Sequence, residues 1–233
     1  MVVREVKEYD ERLREILTTA RGLFFSKGYD ATSVNDIIGA VGIAKGTFYH
    51  YFNSKEDLMI ALADQITDEA VAIIKDITED PGLSAREKFQ KVYSQVGNWK
   101  VANREIFLEL MRVMYDPKNN RLLQTLNKMS LKKSAPFFAQ IIKQGTREEG
   151  WKTRYPDESA RIIFHMGFGV AEHIGENFLR LHEASAEEKK RTLDDLYRKT
   201  EAYEFAINRL IGTDDKPLDL YDLDLIGAFF EDV

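Results

Sequence analysis

Apolar residues in this chain recur at spacings of three and four, and few segments alternate with period two. Leu13, Ile16, Leu17, Ala20, Leu23 and Phe24 form one stripe, and Val34, Ile37, Ile38 and Val41 form the next. That period belongs to amphipathic helices rather than half-buried strands. Glycine, proline and capping signals divide the pattern. The expected helices are a first at 9–27, closed by Gly28, and a second starting at Thr32 or Ser33 and ended by Gly42. A short third follows at 44–52, then helices at 54–79, 84–102, 103–115, 119–148, 157–183 and 185–211. Ser54/Asp57, Ser84/Glu87 and Ser185/Glu188 have capping-box spacing. Breaks are expected at Pro81-Gly82, Pro117, Gly150 and Pro156. The fold class expected is all-α.

The second and third of these helices are joined by a tight, glycine-containing turn, with Ile43 plugging it and Phe48 and Phe52 pointing inward. A helix, such a turn and a short helix are the signature of a helix-turn-helix. The third helix carries an unusual load. Lys45, Thr47, Tyr49 and His50 crowd into barely two turns around Gly46. Glycine in a helix interior costs up to ~1 kcal/mol relative to alanine, so it needs a reason. Close approach to a DNA backbone or base edge is one. Lys45 can donate to guanine, Thr47 offers a hydroxyl and a methyl, and Tyr49 and His50 offer flat surface with a polar tip. Lys55 sits in the first turn of the fourth helix, where a cation opposes the dipole; a phosphate bound there explains it. Thr32 and Ser33 suit a second phosphate contact.

Charge permits this reading without demanding it. The chain of 233 residues has net charge −6, yet through Lys55 the balance is +1, leaving −7 for the rest. A local basic face would meet phosphate and the acidic remainder would be held off the duplex. Hydrophobic residues at 44% and charged residues at 31% suit a soluble globular chain. Cysteine is absent, which excludes disulfides and thiolate sites and suits a reducing cytoplasm. The charged N-terminus is not a signal peptide, and no apolar run approaches the ~20 residues of a spanning helix. No membrane association, cofactor or metal site is therefore expected. The chain has no "HExxH", no "GxSxG" and no phosphate loop after a strand, so an enzyme is not expected.

The run "DATSVNDIIGAVGIAKGTFYHYFNSKEDL" resembles the DNA-binding domain of the TetR family of bacterial repressors, over about residues 8–60. By that resemblance Thr32, Ser33, Lys45, Gly46, Thr47, Tyr49, His50, Tyr51 and Lys55 fall on DNA-contacting positions, although Tyr51 can equally pack on the first helix. One departure is Ala44, where the family often has Ser or Thr; the third helix then lacks a side-chain cap worth ~1 kcal/mol. The resemblance implies a three-helix DNA-binding domain at 1–55 and a larger helical ligand-sensing and dimerisation domain at 56–212. The acidic tail at 213–233 is open between a docked short helix and a frayed end. The partners implied are double-stranded DNA, a second copy of the chain and a small-molecule effector. The function expected is a repressor released from a palindromic operator by an apolar or aromatic molecule. A helical protein-interaction module without DNA binding is the alternative.

Beyond residue 60 the residues are read on their own. Gly167, Ala171 and Gly175 make a small-residue stripe, and Leu196, Tyr203 and Ile207 belong to an apolar seam. Both are candidates for a twofold four-helix interface. Tyr93, Trp99, Phe107, Met111, Met114, Phe137, Phe138, Phe164 and Phe168 are candidates for a ligand pocket, or simply core. His165, Glu172, His173 and Glu176 can offer polar groups to a ligand, or face solvent or the partner.

Overall fold

The computed structural model describes the backbone of residues 2–181, 184–213 and 215–229, and side chains within 9–175, 184–213 and 215–228. The elements are α1 (Val2–Lys27), α2 (Val34–Val41), α3 (Lys45–Tyr51), α4 (Lys55–Glu79), α5 (Ala85–Ala102), α6 (Arg104–Met114), a 3-10 turn (Pro117–Asn119), α7 (Asn120–Glu148), α8 (Pro156–Leu181), α9 (Ala186–Ile211) and α10 (Leu223–Phe229). No strand occurs among the described residues. The boundaries follow local chemistry. Gly28, Gly42 and Gly212 take left-handed conformations behind α1, α2 and α9, as helix-stopping residues without a Cβ can. Ser84/Glu87 and Ser185/Glu188 close complete capping boxes on α5 and α9. At α4 the box is shifted. Ser54 accepts from the Asp57 N–H, but the Asp57 carboxylate accepts from Asn53 instead. α1 begins well before Tyr9, the expected start. The expected end of the eighth helix at 182–183 lies outside the described residues.

The chain divides into two compact units. The first comprises residues 1–66 and 105–126, so it contains α1–α3, the first half of α4, α6 and the start of α7. Ile16, Ala20, Phe24, Ile37, Phe48, Leu58 and Met59 are among its buried side chains. Phe48 and Phe52 are both buried, as the sequence predicts.

The second unit comprises residues 67–104 and 127–233. Its core is built round Phe89, which stacks on Tyr93 and meets Phe138 and Trp151 edge-on. Trp151 lies so close over Gly145 that any Cβ there would overlap the indole. The described part of the tail is docked. Leu218 and Leu220 are buried in this core, and α10 packs on α5. Asn208 on α9 donates to the Leu218 carbonyl at 3.0 Å and accepts from the Leu218 N–H at 2.6 Å and from the Thr213 hydroxyl. The Glu204 carboxylate accepts from the N–H groups of Leu220 and Tyr221, and Arg86 donates to the carbonyls of Lys216 and Pro217.

Candidate nucleic-acid interface

α3 is seven residues long, too short to persist alone, so its conformation rests on packing. Phe48 is fully buried, and the opposite face is free. Lys45, Gly46, Tyr49 and His50 are exposed, with Thr47 part-exposed at the edge. A Cβ built on Gly46 would meet nothing within 4 Å, so packing inside this chain does not require glycine there. Ala44 precedes the helix in an extended conformation and makes no side-chain cap. The Lys45 ammonium lies 6.0 Å from the Tyr49 ring centroid.

The remaining candidates are less free than the sequence suggests. Thr32 is completely buried, and its hydroxyl donates to the Gly28 carbonyl at 2.8 Å, so it ties the turn together and offers no hydroxyl to a phosphate. The Lys55 ammonium is also turned inward. It donates to the carbonyls of Tyr29 at 2.8 Å and Thr32 at 3.0 Å, and it sits 4.1 Å from the Tyr29 ring centroid. Desolvation there lowers its pKa. The phosphate expected to explain this cation is replaced by two backbone carbonyls. Tyr51 packs on α1, stacked on Tyr9 with centroids 4.5 Å apart. Tyr9 also meets the edge of His50. Nothing in the local spacing marks Tyr9 as a support for α3, since it lies 42 residues from Tyr51.

Ser33 is exposed but engaged. It caps α2, accepting from the Asp36 N–H, while the Asp36 carboxylate accepts from the Ser33 N–H at 2.7 Å and from its hydroxyl. Lys27 approaches the same carboxylate at 3.1 Å. The Ser33 hydrogen bonds, with Lys27 adding to them, hold Asp36 at about 2, below its ordinary 3.8. A depressed carboxyl pKa means stability that is fully present above about pH 4 and is lost as pH falls toward 2. Carboxyl titration by NMR is expected to return Asp36 part of the way toward its ordinary value in Ser33→Ala, because the backbone N–H of residue 33 still donates to it. An unchanged low value would assign the shift to that N–H and Lys27 instead.

Two family models match this chain. "Bacterial regulatory proteins, tetR family" covers residues 16–62, which contain the whole helix-turn-helix, and "Tetracyclin repressor-like, C-terminal domain" covers residues 102–175. The chain belongs to the TetR family. Among curated relatives, the uncharacterized HTH-type transcriptional regulator YerO of Bacillus subtilis is 29% identical over 80% of this chain. The regulator EthR of Mycobacterium tuberculosis is 35% identical over 34% of it. The matched stretches span 65% of YerO and 36% of EthR. Among solved TetR-family structures, one from Pectobacterium atrosepticum superposes with a TM-score of 0.65 at 19% identity, covering 91% of this chain and 98% of its own. Thermus thermophilus FadR, described in complex with lauroyl-CoA, gives 0.56 at 19% identity, covering 79% and 93%. These two likenesses show the TetR fold and nothing finer.

In the C-terminal part of this TetR chain several candidate residues fall elsewhere than expected. Leu196 and Ile207 are buried within their own chain, at 3% and 1% exposure, and Gly175 is buried too, so none is free for a partner. A close approach on α8 is made at Gly169, where a Cβ would lie 2.6 Å from the Tyr203 hydroxyl of α9. α8 and α9 pack on one another, and Ile207 belongs to the core of the second unit. Gly167 and Ala171 are part-exposed, and a Cβ on Gly167 would meet nothing within 4 Å. Among the described side chains of these two helices, the large apolar ones that are exposed are Ile162 and Phe205, at 45% and 64%.

The pocket candidates are divided between the two units. Phe138 is buried core, with Tyr93, Phe137 and Phe164 packed against the same cluster. Phe168 lies 6.3 Å from Phe164, and Trp99 is part-buried. Phe107, Met111 and Met114 belong to the first unit instead. His173 is paired with Asp195 at 2.9 Å and Lys199, joining α8 to α9. His165 meets the edge of Phe168, and Glu172 is exposed; the side chain of Glu176 lies outside the described residues. A broad groove of about 680 Å3 runs between α5 and the tail, lined by Glu87, Lys91, Asp219 and Tyr221 among others. Among the described residues, no helix is long and apolar enough to cross a membrane. No group of three or more His, Asp or Glu is placed to hold a metal ion among them either.

Proposed function

We propose that this chain is a homodimeric transcriptional repressor that reads a palindromic operator with α3. We further propose that a small apolar or aromatic molecule, bound among the helices of the C-terminal part, releases it. Gly46 carries the reading. It is exposed, it sits inside a helix, and nothing in the chain occupies the space its missing side chain leaves. A helix that bound only another protein would gain stability from alanine at that position. Glycine is retained where a surface must come close, and its neighbours Lys45, Thr47, Tyr49 and His50 carry the donors and flat faces that base edges require. Ser33, Tyr51 and the charge of Lys55 act behind them, as supports of the reading face. DNA in the cytoplasm is the partner, and two copies related by twofold symmetry read two half-sites.

The effector part rests on family resemblance and on the FadR complex with lauroyl-CoA, which gives one example of a small molecule held by this fold. Coupling of ~1–3 kcal/mol between effector and DNA would lower operator affinity ~5–150-fold.

The test is Gly46→Ala, with DNA sites selected from random duplexes. The variant is expected to melt higher, by ~0.5–1 kcal/mol of stability, because the added methyl meets nothing and helix propensity improves. It is expected to bind the selected duplex about tenfold more weakly, because the same methyl is driven into the groove. Lys45→Ala should lose ~1–3 kcal/mol on the base pair it prefers. A Gly46→Ala chain that gains stability and binds the duplex unchanged would falsify α3 as the reading element.

A further inference from the structure

The α1–α2 turn, residues 28–32, is held from outside by two different helices. From α4, Lys55 donates to the carbonyls of Tyr29 and Thr32. From α6, the Glu109 carboxylate accepts the Tyr29 N–H at 2.9 Å, across 80 residues of sequence. Its other oxygen lies 3.6 Å from the Arg112 guanidinium. Tyr29 falls in the stretch matched by the N-terminal family model and Glu109 in the stretch matched by the C-terminal one, yet both belong to the same compact unit. Around this bond α6 faces α1 and α4 through apolar side chains, Phe24, Phe25, Met59, Leu62, Ile106 and Leu110, which leave a void of about 20 Å3. Apolar contact is non-directional and tolerates sliding; a hydrogen bond to a backbone N–H does not.

The turn sets the direction of everything that reads. α2 begins immediately after it, at Val34, and α3 follows α2 by a three-residue link. A small rotation at residue 29 is therefore magnified at the far end of α3. We infer that Glu109 is a positioning residue for DNA recognition, holding the α1–α2 turn from α6 so that α3 meets the bases at one angle. This rests on the reading of α3 as the DNA-contacting helix. Base contacts are sensitive to that angle, whereas phosphate contacts made along the duplex are more forgiving. The signature is a loss of discrimination at nearly constant non-specific binding.

The full chain carrying Glu109→Ala or Glu109→Gln would be compared with the unaltered protein. The DNA is a duplex selected from a random pool by the unaltered protein, and a shuffled duplex of equal length. Amide exchange is followed in the peptide spanning residues 28–33, well below the melting temperature of each variant. Glu109→Ala is expected to speed exchange in that peptide. It should weaken binding to the selected duplex about tenfold, roughly one base contact, and to the shuffled duplex less than about twofold. Glu109→Gln keeps an oxygen that accepts the Tyr29 N–H and is expected to restore most of the discrimination. Unchanged exchange, or equal weakening on both duplexes, overturns the role of Glu109 and leaves the DNA reading intact. An unaltered protein that selects no duplex overturns the DNA reading first, and this inference with it.

Discussion

Asn208→Ala is expected to release the C-terminal segment from the second unit. The Asn208 side chain meets the Leu218 N–H, the Leu218 carbonyl and the Thr213 hydroxyl, all buried. Alanine leaves those groups without it, and each buried unsatisfied group costs ~1–3 kcal/mol. The chain has two ways to respond. It can stay docked with unpaired groups, or undock and expose Leu218 and Leu220, now 1% and 5% exposed. Undocking caps the loss at the docking free energy, so about 3 kcal/mol is expected, or roughly 6–12 °C at 2–4 °C per kcal/mol. Hydrogen exchange across residues 216–229 should rise well above that of α5. Protection unchanged from the native chain would place the anchor in Arg86 and Glu204 instead.

Phe205→Glu is expected to turn a dimer into a monomer. Phe205 is 64% exposed on α9, with the Arg209 guanidinium 5.4 Å from its ring centroid, while Ile162 is 45% exposed on α8. An aromatic side chain this open on a helix that otherwise buries its apolar seam fits the middle of a twofold interface. A carboxylate there would have to be desolvated twice over, once from each copy, by symmetry, a cost that Arg209 one turn away offsets only in part. Operator affinity should fall ~10²–10⁴-fold, because the second half-site ceases to be an intramolecular event. Light scattering or sedimentation decides the first part. A variant that remains dimeric moves the interface away from Phe205.

Apart from the start of α1, the helix ends were legible in the sequence nearly to the residue, because they are made by neighbours in the chain. Ser84 finds Glu87 three residues on, and Gly42 stops α2 from the next position. The exposed face of α3 was legible for the same reason, since seven residues fix which side turns Phe48 inward. What sequence spacing could not supply is long-range choice. Lys55 has carbonyls to satisfy 23 and 26 residues away, Tyr51 has Tyr9, and Tyr29 has Glu109. Periodicity marks Leu196 and Ile207 as apolar, but it does not say whether their own α8 or another chain covers them. The Ser33…Asp36 box was within reach of the capping pattern and would have shown Ser33 already engaged.

The first compact unit is assembled from two pieces of chain, residues 1–66 and 105–126. During synthesis the first piece emerges, at ~5–20 residues per second, several seconds before the second is made. Its helices can form and cap themselves in that interval, yet the Tyr29 N–H waits for a carboxylate that does not yet exist. A fragment ended at residue 66 is held permanently at that stage. It would carry every residue of α3 and still lack the bond from α6, which makes truncation to the helix-turn-helix alone a change of mechanism as well as of size.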